Sequence, residues 1–353
     1  MDIDKLFEFE ECKNGYILKK YLLRDDPSVT EVEIPSKYNE KPIVKIGLGA
    51  FMSASHLCSV NIGEGIEEIG INAFISCTGL SSIILPHSLK RIRTSAFTNC
   101  PKLKDPTFHE GIEYIGTNAF GGCCSIRSVK LPDSLRSLGG SPFGGCRDLR
   151  SVVIPPKIKV IPRSCFCNCI KLENIEFPEG IKEIKKHAFY GCGFRSVKFP
   201  SGLKKIGCGA FHYCLKLEKA DFGESSPQLD KDVFGHCYEL SAENVIQSLA
   251  RSVDITKPFP KKTRFEWRLV LREDIFALAL KYNSFSLYDN SMVWREIVKL
   301  DLTGLLSMAE SAGWEISEKC MGELLDISMK NSFTETTAWL LDYKNRKIGF
   351  GRA

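Results

Sequence analysis

Phenylalanine recurs through most of this chain in near-constant register. Phe51, Phe74, Phe97, Phe120, Phe143, Phe166, Phe189, Phe211 and Phe234 follow one another at intervals of 23 residues, with one interval of 22 before Phe211. Three residues after each stands Cys77, Cys100, Cys123, Cys146, Cys169, Cys192, Cys214 or Cys237, and only the first unit departs, with Ala54. Six residues after the Phe comes Leu57, Leu80, Leu103, Ile126, Leu149, Leu172, Leu217 or Leu240. Apolar residues then alternate, as in Val60 and Ile62, Ile83 and Leu85, Val129 and Leu131, or Val152 and Ile154, which predicts a short strand in each unit. Pro86, Pro132, Pro155, Pro178 and Pro200 end it by removing a donor and fixing a turn. A second apolar pair follows, as in Leu89 and Ile92, Ile112 and Ile115, or Ile181 and Ile184. A unit this short cannot bury these positions alone, so the units must stack as the coils of a solenoid. At ~4.8 Å per strand, nine coils extend over roughly 40 Å.

The phrases Asn72-Ala73-Phe74-Ile75-Ser76-Cys77 and Ile115-Gly116-Thr117-Asn118-Ala119-Phe120-Gly121-Gly122-Cys123 resemble the leucine-rich repeat class called BspA-like or Treponema-type. The resemblance covers about residues 29 to 240. It implies an α/β repeat solenoid, a right-handed coil of about nine such units, and roles in protein contact and in bacterial or protist surface adhesion. An incomplete first coil is visible in Val32-Glu33-Ile34-Pro35 with Ile46-Gly47, lengthened by residues 36–42. Residues 1–28 are expected to cap the open end of the apolar column, since solenoids need capped ends.

After Leu240 the period stops. Residues 241–263 read as a helix followed by a Pro- and Lys-rich linker. Residues 264–353 carry apolar positions at helical spacing, as in Leu302, Leu305 and Leu306, or Met321, Leu324 and Leu325, and predict a C-terminal α-helical domain of stacked hairpins. Ser332 with Glu335 has the spacing of a capping box for the last helix. The stretch from Thr337 to Lys344 resembles, slightly, the second helix of an ankyrin unit.

Of 353 residues, 43% are hydrophobic and 26% charged, which excludes a disordered chain. Lys+Arg 48 against Asp+Glu 43 leaves +5, too small a surplus to imply nucleic-acid binding. The sequence reading expects no membrane span and no secretion signal at the start. With 15 cysteines in a long chain, it also expects reduced thiols and a cytoplasmic location. The cell surface is the alternative that the resemblance implies.

Chemistry is hard to place on such a chain. Thiols 23 residues apart form one straight row, whereas zinc needs four converging donors. The row therefore reads as small polarizable side chains filling an interior column. His56, His87, His109, His187, His212 and His236 fall in no catalytic or metal motif. The glycines of residues 139–145 lack the Gly-Lys-Ser/Thr ending of a phosphate loop. No cofactor and no catalytic residue is assigned, and an enzyme site in the helical domain is the least favoured reading.

Two outward ladders carry the partner-binding expectation. On the strand face stand Ser128, Lys130 and Ser151, with their counterparts in neighbouring units. Between the members of the second apolar pair stand Glu67, Lys90, Glu113, Arg136, Lys159, Lys182 and Lys204, five of the seven basic. Adjacent like charges repel, and an acidic partner would relieve them; protection of exposed strand edges is the competing explanation. The sequence thus points to a non-enzymatic module contacting a protein or a glycan, with an intracellular scaffold as the alternative role. Nucleic acid is disfavoured because no aromatic residues interleave the basic row apart from Tyr114.

Overall fold

The computed structural model describes residues 3–223, 225, 227–230, 233–237, 239–240, 290–299, 301–311 and 314–348. The chain divides into two units, residues 1–240 and 241–353.

The first unit is the solenoid that the Phe period requires. Each coil contributes short segments to two parallel walls. One wall carries the alternating apolar segments: Glu31–Ile34, Ser59–Ile62 and Ser82–Ile84 pair in order, Ser128–Lys130 pairs with Ser151–Val153, and Ser196–Lys198 pairs with Lys219–Asp221. The other wall carries the second apolar pair. It runs from Lys41–Ile46 through Glu68–Ile69, Arg91–Ile92 and Tyr114–Ile115 to Ser137–Leu138, then from Val160–Ile161 through Glu183–Ile184 and Lys205–Ile206 to Gln228–Leu229. A hairpin precedes the first coil. Strand β1, Phe7–Cys12, pairs antiparallel with β2, Gly15–Tyr21, and β2 joins the second wall beside Lys41–Ile46.

The column between the walls is made of rings. Phe51 stacks on Phe74 at 4.7 Å and 14°, and the stack continues without interruption to Phe211 on Phe234 at 5.6 Å and 24°. At its first end Tyr21 of β2 lies flat on Phe51 at 5.1 Å, with Phe7 edge-on at 6.1 Å. The nine phenylalanines are all buried.

The turn holding each Phe is itself a hydrogen-bonded ladder that the strand pattern did not reveal. Phe74 N–H donates to Ala96 O in the next coil at 2.7 Å, Phe97 N–H to Ala119 O at 2.7 Å, and Phe166 N–H to Ala188 O at 2.7 Å. Keeping these groups aimed along the axis takes a left-handed residue on either side of the ring, such as Asn72 (φ 57°) and Ser76 (φ 58°) around Phe74. Gly, Asn and His tolerate that conformation better than most residues, which fits Asn72, Asn99, His187 and His236 there. Ser76, Ser95 and Tyr213 (φ 59°) hold it as well.

The cysteine row is interior as expected, but the column around it is not wholly apolar. Cys100 Sγ donates to Phe74 O at 3.1 Å, Cys123 Sγ to Phe97 O at 3.1 Å and Cys146 Sγ to Phe120 O at 3.3 Å, and the same contact recurs at every cysteine of the row. Phe74 O and Phe120 O also accept the N–H of their own coil's Cys77 and Cys123, so one carbonyl serves two coils. The thiol must be protonated to donate. Its contact with Cys100 and then burial push the Cys77 thiol well up, and burial does the same for Cys146, because a buried thiolate loses its hydration. None of the fifteen cysteines is joined in a disulfide.

Both walls are interrupted, and proline accounts for two of the gaps. Pro106 takes the inward position filled elsewhere by Ile83 or Val129, and no strand forms there, since proline has no N–H to give the ladder. Pro162 sits where Gly116, Gly139 and Gly207 donate to Ile92 O, Ile115 O and Ile184 O, so the second wall opens between Ser137–Leu138 and Val160–Ile161, again for want of a donor. The ring stack is at its widest there, 5.8 Å between Phe143 and Phe166.

In the second unit the described residues form helices α1 (Asn290–Lys299), α2 (Thr303–Ser311), α3 (Glu318–Lys330) and α4 (Thr334–Tyr343). Helix α3 packs on α1 and α4 around Trp294, Leu306, Met321, Leu324, Leu340 and Tyr343. Tyr343 Oη accepts from Ile316 N–H at 3.1 Å, and Ser317 caps α3 by accepting from Cys320 N–H. The expected capping box does not form. Ser332 is left-handed (φ 60°), the residue preceding α4 is Phe333, and it makes no side-chain cap. The expected helix and linker at 241–263, and the start of the domain near Arg264, lie outside the described residues.

Removing a ring from the middle of the stack leaves a cavity between two coils. Phe120→Ala is expected to cost about 3 kcal/mol in urea unfolding. At Cys123 the order of substitutions is diagnostic: Ser keeps a donor for Phe97 O, so Cys123→Ser should be tolerated better than Cys123→Ala. The opposite order would mean that the thiol acts only as apolar filling.

Candidate binding surfaces

The basic residues and the strand-face residues singled out from the sequence are all exposed, but the structure sorts them into different environments. In the basic row, Lys90 N–H donates to Glu67 O, Glu113 N–H to Lys90 O and Arg136 N–H to Glu113 O, so these side chains stand in register one coil apart. The acids interleave with the bases. Lys90 Nζ lies 2.7 Å from Glu67, Arg136 lies 3.8 Å from Glu113, and Arg91 and Lys45 both bind Glu68, at 2.9 and 2.8 Å.

Beyond the Pro162 gap the row changes. Lys182 N–H donates to Lys159 O at 2.7 Å and Lys204 N–H to Lys182 O at 2.8 Å, so three lysines follow in register with no acid between them. Lys204 O in turn accepts from Gln228 N–H, so Lys182 and Lys204 are paired with the coils on both sides. Edge protection therefore does not explain these two. The repulsion expected along the whole row is confined to this half.

On the strand face, Ser128 stands beside Ser151 and Lys130 beside Val153 in parallel register, all four exposed. The neighbouring coil is the one interrupted by Pro106, and a side chain completes its ladder. Asp105 accepts from Arg127 N–H at 2.6 Å, from Ser128 N–H at 3.0 Å and from Ser128 Oγ at 3.1 Å. Ser128 is thus already engaged within the fold, whereas Lys130, Ser151 and Val153 present their ends outward.

The turns after the strands carry a device that single-residue motifs did not show, although the 23-residue spacing contains it. A carboxylate of one coil accepts the N–H groups of the next coil's turn: Glu64 from His87 and Ser88, Glu110 from Asp133 and Ser134. His87, given no role from the sequence, places Nδ1 3.1 Å from Glu64 and stacks its ring on His109 at 4.0 Å. The N–H donors of His87, foremost among the causes, hold the Glu64 carboxyl down to about 2, since they favour its charged form. A second unforeseen feature is a cluster of rings at one corner of the last coils, where Tyr190 stacks on His212 at 5.6 Å and Tyr213 on His236 at 4.5 Å.

A cavity of about 290 Å³ lies beside β2, lined by Glu8, Lys19, Lys20, Tyr21, Arg24 and Met52 among others. Among the described residues, no group of three or more His, Cys, Asp or Glu side chains is placed to hold a metal ion, and no helix is long and apolar enough to cross a membrane.

Comparison with known proteins agrees with this architecture. The family model for a BspA type leucine-rich repeat region matches residues 17–150 and 139–253, in six copies. A leucine-rich repeat protein from Bacteroides ovatus, 24% identical, superposes with a TM-score of 0.51 over 67% of this chain and 68% of its own. The T. pallidum leucine-rich repeat protein is 27% identical, with a TM-score of 0.48 over 60% of this chain and 88% of its own. No curated protein matches.

The depressed Glu64 carboxyl ties the turn ladder to pH. Its folded-state value lies below the ordinary 4.5, so what it adds to stability is fully present above pH 4.5 and is lost as pH falls toward 2. Carboxyl NMR titration should place its midpoint near 2. Glu64→Gln should remove part of the stability difference between pH 6 and pH 3.

Proposed function

Since the chain belongs to the BspA-type leucine-rich repeat family, we propose that it is a non-enzymatic binding module whose solenoid holds a protein partner on the strand face around Lys130, Ser151 and Val153. The observation that carries this reading is the register of that face. Parallel pairing fixes each outward side chain relative to the next coil's, so a partner orders few receptor groups on binding and several modest contacts add. Val153 is 55% exposed and Ile84 56%. These are apolar groups set among polar ones, the mixture that protein interfaces use. Family membership supports the same reading, and surface adhesion is the role it would extend to.

A scaffold inside the cell is the second reading, and the free thiols favour it. Alkylation of the unreduced, denatured protein should modify nearly all fifteen cysteines. Several protected pairs would instead point to an oxidising compartment.

The partner face is tested by affinity capture with the whole chain, followed by Ser151→Arg and Val153→Arg. Both residues are exposed, so the fold should persist while a captured partner's affinity falls about tenfold or more. Unchanged affinity for both variants would remove the strand face from the proposal.

A further inference from the structure

The second half of the basic row is a different surface from the strand face and calls for a different occupant. We propose that Lys159, Lys182 and Lys204 form a binding track for a linear anionic polysaccharide, carboxylated or sulfated, laid along the solenoid axis.

Charge, placement and repeat length lead to that class. The three lysines are exposed, and among the described residues none of them has a carboxylate in salt-bridge contact, unlike Lys90 and Arg136 in the same row. The nearby acids are committed elsewhere or lie to one side. Glu179 accepts from Ser201 N–H and Oγ, Asp230 binds Lys205 at 3.3 Å, and Glu183 stands in register with Lys205 rather than with the lysine row. Glycine makes room for the ammonium groups on the next coil's turn. A Cβ on Gly180 would lie 2.6 Å from Lys159 Nζ, and one on Gly202 would collide with Lys182 Nζ. Lys159 Nζ donates to Pro156 O of its own coil at 3.2 Å, beside Gly180, and Lys182 Nζ lies against Gly202, so these two ammonium groups sit between successive turns along the axis.

Spacing then selects among polyanions. The charges repeat once per coil, at ~4.8 Å, well inside a Debye length of ~8 Å, so they repel one another until a polyanion neutralises them. An extended acidic peptide puts same-side carboxylates two residues apart, ~6.6 Å, and falls out of step. A single-stranded nucleic acid needs rings between the charges for its bases. The residues between these lysines are Gly180 with Ile181 and Gly202 with Leu203, the glycines half-buried and the other two buried. A polysaccharide carries its carboxylates or sulfates on groups outside its rings, is not bound to the two-residue alternation of a strand, and needs no stacking partner between the lysines, so it is the polyanion that these two arguments leave.

The test uses the full chain and four probes: polygalacturonate, heparin, polyglutamate and oligo-dT, titrated calorimetrically at low and at moderate salt. Binding to at least one of the two polysaccharides is expected, the arms telling carboxylate from sulfate. It should weaken about tenfold in the Lys159→Gln/Lys182→Gln/Lys204→Gln variant, with a shallower salt dependence. Lys90→Gln/Arg136→Gln, in the paired half, should change it less than about twofold. Should the triple variant melt early, Lys182→Gln alone is read instead, with a loss of about threefold expected. The proposal is overturned if neither polysaccharide binds, if the lysine variants bind as tightly as the parent, or if polyglutamate or oligo-dT binds more tightly through the same lysines. The strand-face variants leave this binding untouched, so failure of either proposal is separable from the other.

Discussion

The distance between coils is the constraint on which everything in the solenoid depends. Parallel strands pair at ~4.8 Å, and offset aromatic rings stack favourably at a similar centroid spacing. The Phe column satisfies both at once, with centroids between 4.7 and 5.8 Å along its length. A smaller side chain would leave gaps between coils. The backbone uses the same distance: N–H groups of both walls and of the Phe turn all donate between neighbouring coils, so one translation satisfies three ladders.

That translation also explains the cysteine row. A thiol three residues after the ring is small enough to fit beneath the next coil and long enough to reach the Phe carbonyl one unit back. It is a filler that also donates, held protonated by burial and by its neighbours. Such thiols are poor nucleophiles and poor metal ligands, because both roles require the thiolate. The thiols of the repeat are thus assigned to cohesion, which leaves the outside of the coil for contact with other molecules.

Outside, the same repetition turns single residues into arrays. Where signs alternate from coil to coil, as from Glu67 to Arg136, the array neutralises itself. Where the sign persists, as from Lys159 to Lys204, it does not. The change falls at the Pro162 gap in the second wall, so the two halves of one ladder differ in both hydrogen bonding and charge.

The spacing of Phe and Cys was enough to define the solenoid, its interior column and the two outward ladders, because in a stacked repeat position within the unit dictates depth. It also placed Lys159, Lys182 and Lys204 in one row. Other features depended on what one coil does to the next. Glu67 and Lys90 are 23 residues apart, and only the coil geometry brings their side chains to 2.7 Å. The use of Asp105 as a substitute acceptor beside Pro106, the left-handed residues flanking each ring and the thiol-to-carbonyl bonds likewise depend on contacts between coils. Periodicity reports which positions are equivalent, whereas the direction of a polar group along the axis is set by the turn that holds it, and that is a property of the tertiary structure.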